Sequence, residues 1–415
     1  MTTYSAVVTT GIYCRPGCGA KPLAENVRTF ELAASAEAAG FRACLRCRPY
    51  RVAGPIASGA PELVCRAVQL IIDGVLDTGT ETSLGARLAV SPRHLRRIFT
   101  DHLGVTPDQL ARSRRAHFAR RLLDDTDLTV ADVAFASGFA SIRQFNRQML
   151  EVFRASPSEL RDRRRRTDRL TADGGLTMRL PFEPPFDWDA MAAFFADRAA
   201  PGVESVSGRV YRRTISLDGA PGVLEVHPGG ADHLLLRAHL PYWEGLIHVA
   251  ERAVRMVGAD VGSAVCAPGA WGPFEAAVQA IVAQECDDLG EARRQLEGMV
   301  ERFGQRVPGL THGLTHLFPS AEVLAAGDLA DLDLPPATVK SLAALAAGVA
   351  SGEIVLDHGV RRADLEASLT AATGVELATA QQIALRLGHR EPAPGKPADE
   401  RRHSATGQLA GRLHG

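Results

Sequence analysis

Between residues 61 and 166, apolar residues recur at three- and four-residue spacing in "ELVCRAVQLIIDG", "SLGARLAV", "SPRHLRRIFTDHLG", "TPDQLARSRRAHFARRLLDD", "TVADVAFASGF" and "SIRQFNRQMLEVF". That period puts the apolar side chains on one face of a helix, so the stretch predicts six or seven short helices. Ser91, Thr106 and Ser156 each stand directly before a proline, which pairs a capping hydroxyl with a first-turn residue already set for the helix. After "RDRRRRTDRLTADGG" the pattern changes. "LTMRLPFEPPF", "GRVYRRTISL", "GVLEVHP" and "HLLLRAHLP" alternate as half-buried strands do, with "WDAMAAFFADRA" a helix between the first two. The helical period returns from Tyr242 to about Leu387, and the segment from His389 is rich in Pro, Arg and Gly, as loose tails are.

A chain of 415 residues divides into two to four domains. Breaks in pattern place them at 1–55, 61–166, 176–242 and 243–390, with a loose tail at 391–415, and "GPIASGAPE" reads as a linker. The formal net charge is −1. No apolar run suggests a membrane span, and "MTTYSAVVTTG" lacks the basic and apolar regions of a secretion signal, so a cytoplasmic, reducing location is expected. Thiols stay reduced there, which weighs against disulfides. Cys65, Cys266 and Cys286 are scattered singly and read as buried bystanders. From Ser83 to Leu170 there are 18 arginines, no lysine and 10 acidic residues, a surplus of eight positive charges that points to a polyanion.

Four cysteines fall in the first fifty residues: Cys14 and Cys18 in "TTGIYCRPGCGAKP", then Cys44 and Cys47 in "GFRACLRCRP". The spacing C-x3-C, 25 residues, C-x2-C makes two knuckles able to close on one Zn2+. Spacing alone leaves open whether such a site is only a structural staple. A metal-held thiolate stays deprotonated and nucleophilic. Four thiolates around Zn2+ carry net charge −2, and alkylating one leaves −1, so repulsion of a DNA backbone falls.

"VVTTGIYCRPGC", "NVRTF" and "GFRACLRCRP" resemble the N-terminal domain of the Ada-type bacterial alkylation-response proteins. The resemblance implies a small zinc-bound α+β domain that takes a methyl group from DNA methylphosphotriesters. Cys14 is then the methyl acceptor, Cys18, Cys44 and Cys47 are the other ligands, and Lys21 stands where the family usually has an arginine near the phosphate.

"SLGARLAVSPRHLRRIFTDHLGVTP" and "TVADVAFASGFASIRQFNRQMLEVFRASPSEL" recur about 50 residues apart, each as helix, tight turn, helix. They resemble the AraC-type DNA-binding domain, which implies an all-α double helix-turn-helix and double-stranded DNA as partner, with RNA polymerase a further expected one. The recognition helices become Ser91 to Leu103, offering Arg93, His94, Arg96 and Arg97, and Ser141 to Phe153, offering Ile142, Arg143, Gln144 and Arg147. Arg suits guanine and Gln suits adenine, although about half of these arginines should meet only phosphate or solvent. Phe99, Phe139, Phe145 and Phe153 read as core.

Residues 176–390 resemble the AlkA type of 3-methyladenine-DNA glycosylase through "YRRTISLDGAPGVLEV", "PGAWGPFEAAVQAIVAQ", "THLFPSAEVLAA" and "LDLPPATVKSLAALAAGVASGEIVL". An α+β unit and a mostly helical unit are implied. The helix-hairpin-helix turn departs from the family in "AATGVELATAQQIALRLG": Gly374 is kept, but Glu376 replaces the second glycine and Ala378 the tryptophan. An ungapped reading puts Pro397 at the catalytic aspartate, with Asp399 two residues on as the glycosylase acid in a gapped one. Glycosylase activity is therefore not expected. The favoured reading is an alkylation-responsive transcription regulator that accepts methyl groups stoichiometrically. Its rivals are a bifunctional protein with a working glycosylase and a plain regulator with a structural zinc site.

Overall fold

The computed structural model describes residues 3–20, 22–52, 60–171, 174–259, 269–284, 286 and 288–389. Its N-terminal part is a four-stranded sheet in the order β3-β1-β2-β4. Strand β1 (Tyr4–Val7) runs antiparallel to β2 (Ile12–Cys14) and to β3 (Val27–Phe30). After helix α1 (Ala33–Ala38), β4 (Arg42–Ala43) adds parallel to β2. Tyr4, Ala6 and Tyr13 point inward and are fully buried.

Eight helices follow: α2 (Glu62–Ile72), α3 (Val75–Thr78), α4 (Glu81–Arg87), α5 (Pro92–Leu103), α6 (Pro107–Asp125), α7 (Val130–Ala136), α8 (Ile142–Phe153) and α9 (Pro157–Asp162). Periodicity predicts six or seven. The extra one, α3, is a single turn too short to show a period, cut from α2 where Gly74 takes φ +93. A Cβ at Gly74 would stand 2.7 Å from the His248 ring, so glycine is required there for space as well as for backbone. Ser91, Thr106 and Ser156 each cap a helix as expected, accepting N–H bonds from His94, Gln109 and Glu159.

The next unit is a five-stranded antiparallel sheet, β5-β9-β8-β7-β6, built from β5 (Leu176–Pro181), β6 (Glu204–Ser207), β7 (Val210–Leu217), β8 (Ala220–Pro228) and β9 (His233–His239), with α10 (Trp188–Arg198) between the first two. Periodicity does not reveal strand β6. "ESVS" is polar and short, and its extended form is imposed by pairing with β7, Glu204 opposite Arg213 and Ser207 opposite Val210.

The remaining helices are α11 (Leu246–Met256), α12 (Pro273–Gln284), α13 (Leu289–Phe303), α14 (Ala321–Ala326), α15 (Pro336–Ser351), α16 (Arg362–Thr373) and α17 (Leu377–Arg386). Residues 304–320 depart from the predicted helical run. Gly309, His312 and Gly313 take positive φ there, and bridges join Gly202 to Leu314 and Arg306 to His316. Buried Arg213 ties the sheet to α12 by meeting Glu204 at 3.3 Å and Glu275 at 2.8 Å.

One apolar core crosses the boundaries drawn from sequence. It joins Tyr13 of β2, Phe118 of α6, Phe145 of α8, Met178 of β5 and Val249 of α11. A second core holds the first helix-turn-helix, and a third the C-terminal helices. Cys65 and Cys286 are half-buried rather than buried, their thiols donating to the Ala60 and Val282 carbonyls, while Cys266 lies outside the described residues. Among the described residues no helix is long and apolar enough to cross a membrane.

Candidate metal centre and nucleic-acid interface

The register of a short sheet brings the two cysteine pairs together. Strand β4 lies beside β2 with Ile12 opposite Arg42 and Tyr13 opposite Ala43, so Cys14 and Cys44 leave the sheet side by side. The Cys44 N–H donates to the Tyr13 carbonyl at 3.0 Å. Cys18 returns through a tight turn that includes Gly17 at φ +71, its N–H donating to the Arg15 carbonyl at 3.3 Å. Cys47 completes a turn in which its N–H donates to Cys44 Sγ at 3.5 Å. All four Sγ atoms lie within 4.8 Å of one another. A tetrahedral thiolate site with metal–sulfur bonds of about 2.3 Å spaces its sulfurs roughly 3.8 Å apart, so the cluster fits such an ion.

The sulfurs are not equivalent. Burial and the neighbouring Cys47 and Cys44 hold the Cys14 thiol well above the usual range. Burial, and after it Cys44, push Cys47 up to about 12, against a backbone N–H of Arg15 that works the other way. Burial would raise Cys44 too, but the N–H groups of Cys47 and Arg46 bring it below the ordinary value. Crowded thiols of this kind ionise together only with a cation among them. Main-chain N–H groups are thus aimed at Cys44 and Cys47, and among the described residues none is aimed at Cys14. Exposed Arg46 and half-buried Arg15 and Arg42 flank the cluster.

Two links fasten this domain to α6, and sequence reasoning missed both because the partners are about 70 or more residues apart. Tyr13, next to Cys14, donates to Glu37 at 2.6 Å, and Glu37 meets His117 at 2.6 Å. Arg48, next to Cys47, pairs with Asp168 at 2.6 Å, while Arg51 reaches Asp124 at 3.1 Å and Asp125 at 3.4 Å. Arg179 of β5 joins Asp125 as well.

The helix-turn-helix units have their turns at Ala89, φ +56, and Gly138, φ +77. Ser91 and Ser141 cap α5 and α8 by accepting the N–H of His94 and of Gln144, each at 3.2 Å. Arg93, Arg96, Arg97, Ile142, Arg143 and Arg147 are exposed, and His94 and Gln144 are half-buried. Their surroundings differ. Glu81 of α4 holds Arg96, and Arg97 shares His94 and Asp101, whereas Arg93, Arg143 and Arg147 have no acidic partner among the described residues. Asn146 is exposed beside them, an adenine-reading type that sequence reasoning passed over. Phe99, Phe139, Phe145 and Phe153 are core, as expected.

In the C-terminal half, α16 and α17 form a helix hairpin with Gly374 at φ +72, and Glu376 is exposed at the first residue before α17. Lys21 and Asp399 lie outside the described residues.

Family models match in three places: the metal binding domain of Ada over residues 2–50, a helix-turn-helix domain over 84–163, and the AlkA N-terminal domain over 177–266. The bifunctional transcriptional activator/DNA repair enzyme Ada of Escherichia coli is 32% identical over 38% of this chain and 43% of its own. AdaA of Bacillus subtilis, of the same description, is 32% identical over 34% of this chain and 66% of its own. A probable bifunctional transcriptional activator/DNA repair enzyme AlkA of Mycobacterium tuberculosis is 35% identical over 94% of this chain and 83% of its own length. An identity of 35% over 94% of this chain, with family models matching in the cysteine domain, the helix-turn-helix pair and the sheet domain, makes this chain a member of the family of bifunctional AlkA-type transcriptional activator/DNA repair proteins.

Proposed function

We propose that this protein is an alkylation-responsive DNA-binding regulator in which Cys14 accepts a methyl group from a DNA methylphosphotriester. The observation that carries the reading is the convergence of four sulfurs within 4.8 Å, in a domain fastened to the helix-turn-helix pair. Zn2+ bound by Cys14, Cys18, Cys44 and Cys47 would keep them deprotonated at neutral pH. Hydrogen bonds donated to a sulfur withdraw electron density from it, so Cys44 and Cys47 are quietened and Cys14 keeps its nucleophilicity. Arg15 and Arg46 favour approach of the neighbouring backbone phosphates and stabilise the negative charge that develops on the departing oxygen, the triester itself being neutral. The Cys14 sulfur attacks the methyl carbon as the carbon–oxygen bond breaks, and the electron pair leaves on the phosphate oxygen, restoring a diester. Among the described residues no second nucleophile stands in the cluster to take the methyl from the thioether, so each molecule reacts once. The cluster loses one negative charge, DNA repels it less, and the helices α5 and α8 hold the promoter more tightly.

Glycosylase activity is not part of the proposed function. Glu376 sets a carboxylate where a hairpin of this kind receives a phosphate, and like charges there oppose DNA. Mass spectrometry after exposure to methylphosphotriester DNA tests the proposal. We expect about +14 Da, one CH2, confined to Cys14, with none in Cys14→Ser and a rise in promoter affinity only in the reacted protein. An adduct on another cysteine, or promoter binding indifferent to alkylation, overturns it.

A further inference from the structure

Away from the cysteine cluster, a pocket of about 170 Å3 opens where the N-terminal domain, α6, β5 and α11 meet. Leu32, Leu110, Leu180 and Val254 give it an apolar wall. Most of its polar groups already have partners: His117 meets Glu37, Tyr50 donates to Asp124 at 2.8 Å, and Arg114 pairs with Glu251 at 2.8 Å. Among its charged side chains Arg121 is the exception. It makes no hydrogen bond or ion pair among the described residues, its Nε is buried without an acceptor, and its guanidinium lies 5.2 Å over the Phe118 ring. Burial lowers its pKa, yet a guanidinium remains charged at neutral pH.

Arg121 is half-buried and feels Glu251 and Asp125 only through space, with no ion pair to either, so its guanidinium lacks an acceptor in a partly apolar setting, which is costly unless something supplies one. A carboxylate fits a guanidinium fork with two parallel bonds, and its remaining body has an apolar wall to cover. The pocket is close in size to cavities of about 150 Å3 that take benzene, so the occupant is of one-ring size.

We propose that this interdomain pocket binds a small amphipathic carboxylate, its acid group on the Arg121 guanidinium and its apolar body against Leu110, Leu180 and Val254. Such a ligand touches four parts of the fold together, so by mass action it stabilises their association.

Calorimetric titration of benzoate into the full-length, zinc-loaded protein tests this, with benzyl alcohol as the uncharged counterpart. Saturable one-to-one benzoate binding is expected, with benzyl alcohol much weaker. Arg121→Gln should weaken benzoate by at least about tenfold, the loss of a charge-assisted hydrogen bond, and Arg121→Lys should retain part of the affinity. The ligand-free opening energy of α6, read by native-state hydrogen exchange, should in Arg121→Gln equal or exceed the parent's, because a guanidinium without an acceptor has been removed. A merely structural arginine would lower it. The proposal is overturned by absence of saturable binding, by equal benzoate affinity in Arg121→Gln, or by inorganic phosphate competing as well as benzoate, since the apolar wall would then contribute nothing.

Discussion

Replacing Asp124 tests how the cysteine domain is held to α6. This carboxylate is completely buried, accepts from Tyr50 at 2.8 Å and Arg51 at 3.1 Å, pairs with Arg120, and has Arg48 at 3.7 Å. Around it four guanidiniums, Arg48, Arg51, Arg120 and Arg179, share three carboxylates, Asp124, Asp125 and Asp168. Asp124→Asn keeps an acceptor for Tyr50 but leaves two carboxylates for four cations. Removing one partner of a buried pair costs about 3–5 kcal/mol, and the retained hydrogen bond places Asn at the low end, about 3 kcal/mol. Asp124→Ala also loses that bond, for about 4 kcal/mol in total. A chain of several cores does not unfold in one step, so hydrogen exchange of the α6 amides under native conditions is the suitable measurement. Adding Arg51→Gln to Asp124→Asn should cost less than the sum of the single changes, because the two residues share one ion pair. A loss in α6 opening energy below about 1 kcal/mol, the worth of an exposed pair, would refute the assignment of a buried network.

Arg143→Ala and Arg147→Ala should each weaken DNA binding, and every phosphate that the variant no longer neutralises should lower the slope of log affinity against log salt by about 0.9; Arg96→Ala should have a smaller effect because Glu81 already engages Arg96. Fluorescence anisotropy across a salt series measures both. His389 is pulled from 6.5 to about 3 by burial and then by His358, whose ring stacks on it at 4.9 Å, and by Arg66 and Arg362. A base depressed in the folded state stays neutral there and gains its proton on unfolding. Its contribution to stability is therefore present above 6.5 and lost as pH falls towards 3. His389→Gln should flatten that acid-side loss in the opening energy of the α17 amides, read by hydrogen exchange at neutral and mildly acid pH, and an unchanged pH profile would count against the burial of this ring.

Local chemistry explains which features were legible from sequence. A serine or threonine before a proline specifies a helix start through bonds within four residues, so the caps at Ser91, Thr106 and Ser156 needed no tertiary information. Cysteine spacing pointed to a metal site for the same reason, since each knuckle is a turn of a few residues. Strand β6 was invisible because its pairing with β7 imposes its conformation, and α3 because a single turn is too short to show a period. The convergence of Cys14 with Cys44 depends on the parallel register of β2 and β4, a pairing between residues some thirty apart. Only the fold decided which arginines are engaged and which are free. Arg51, Arg96 and Arg121 are the same residue type in similarly polar stretches, yet one lies in an ion network, one is held by a glutamate and one faces a pocket without an acceptor. Charge pairing acts through space over a few ångströms, and only the packed chain says which distant groups come within that range.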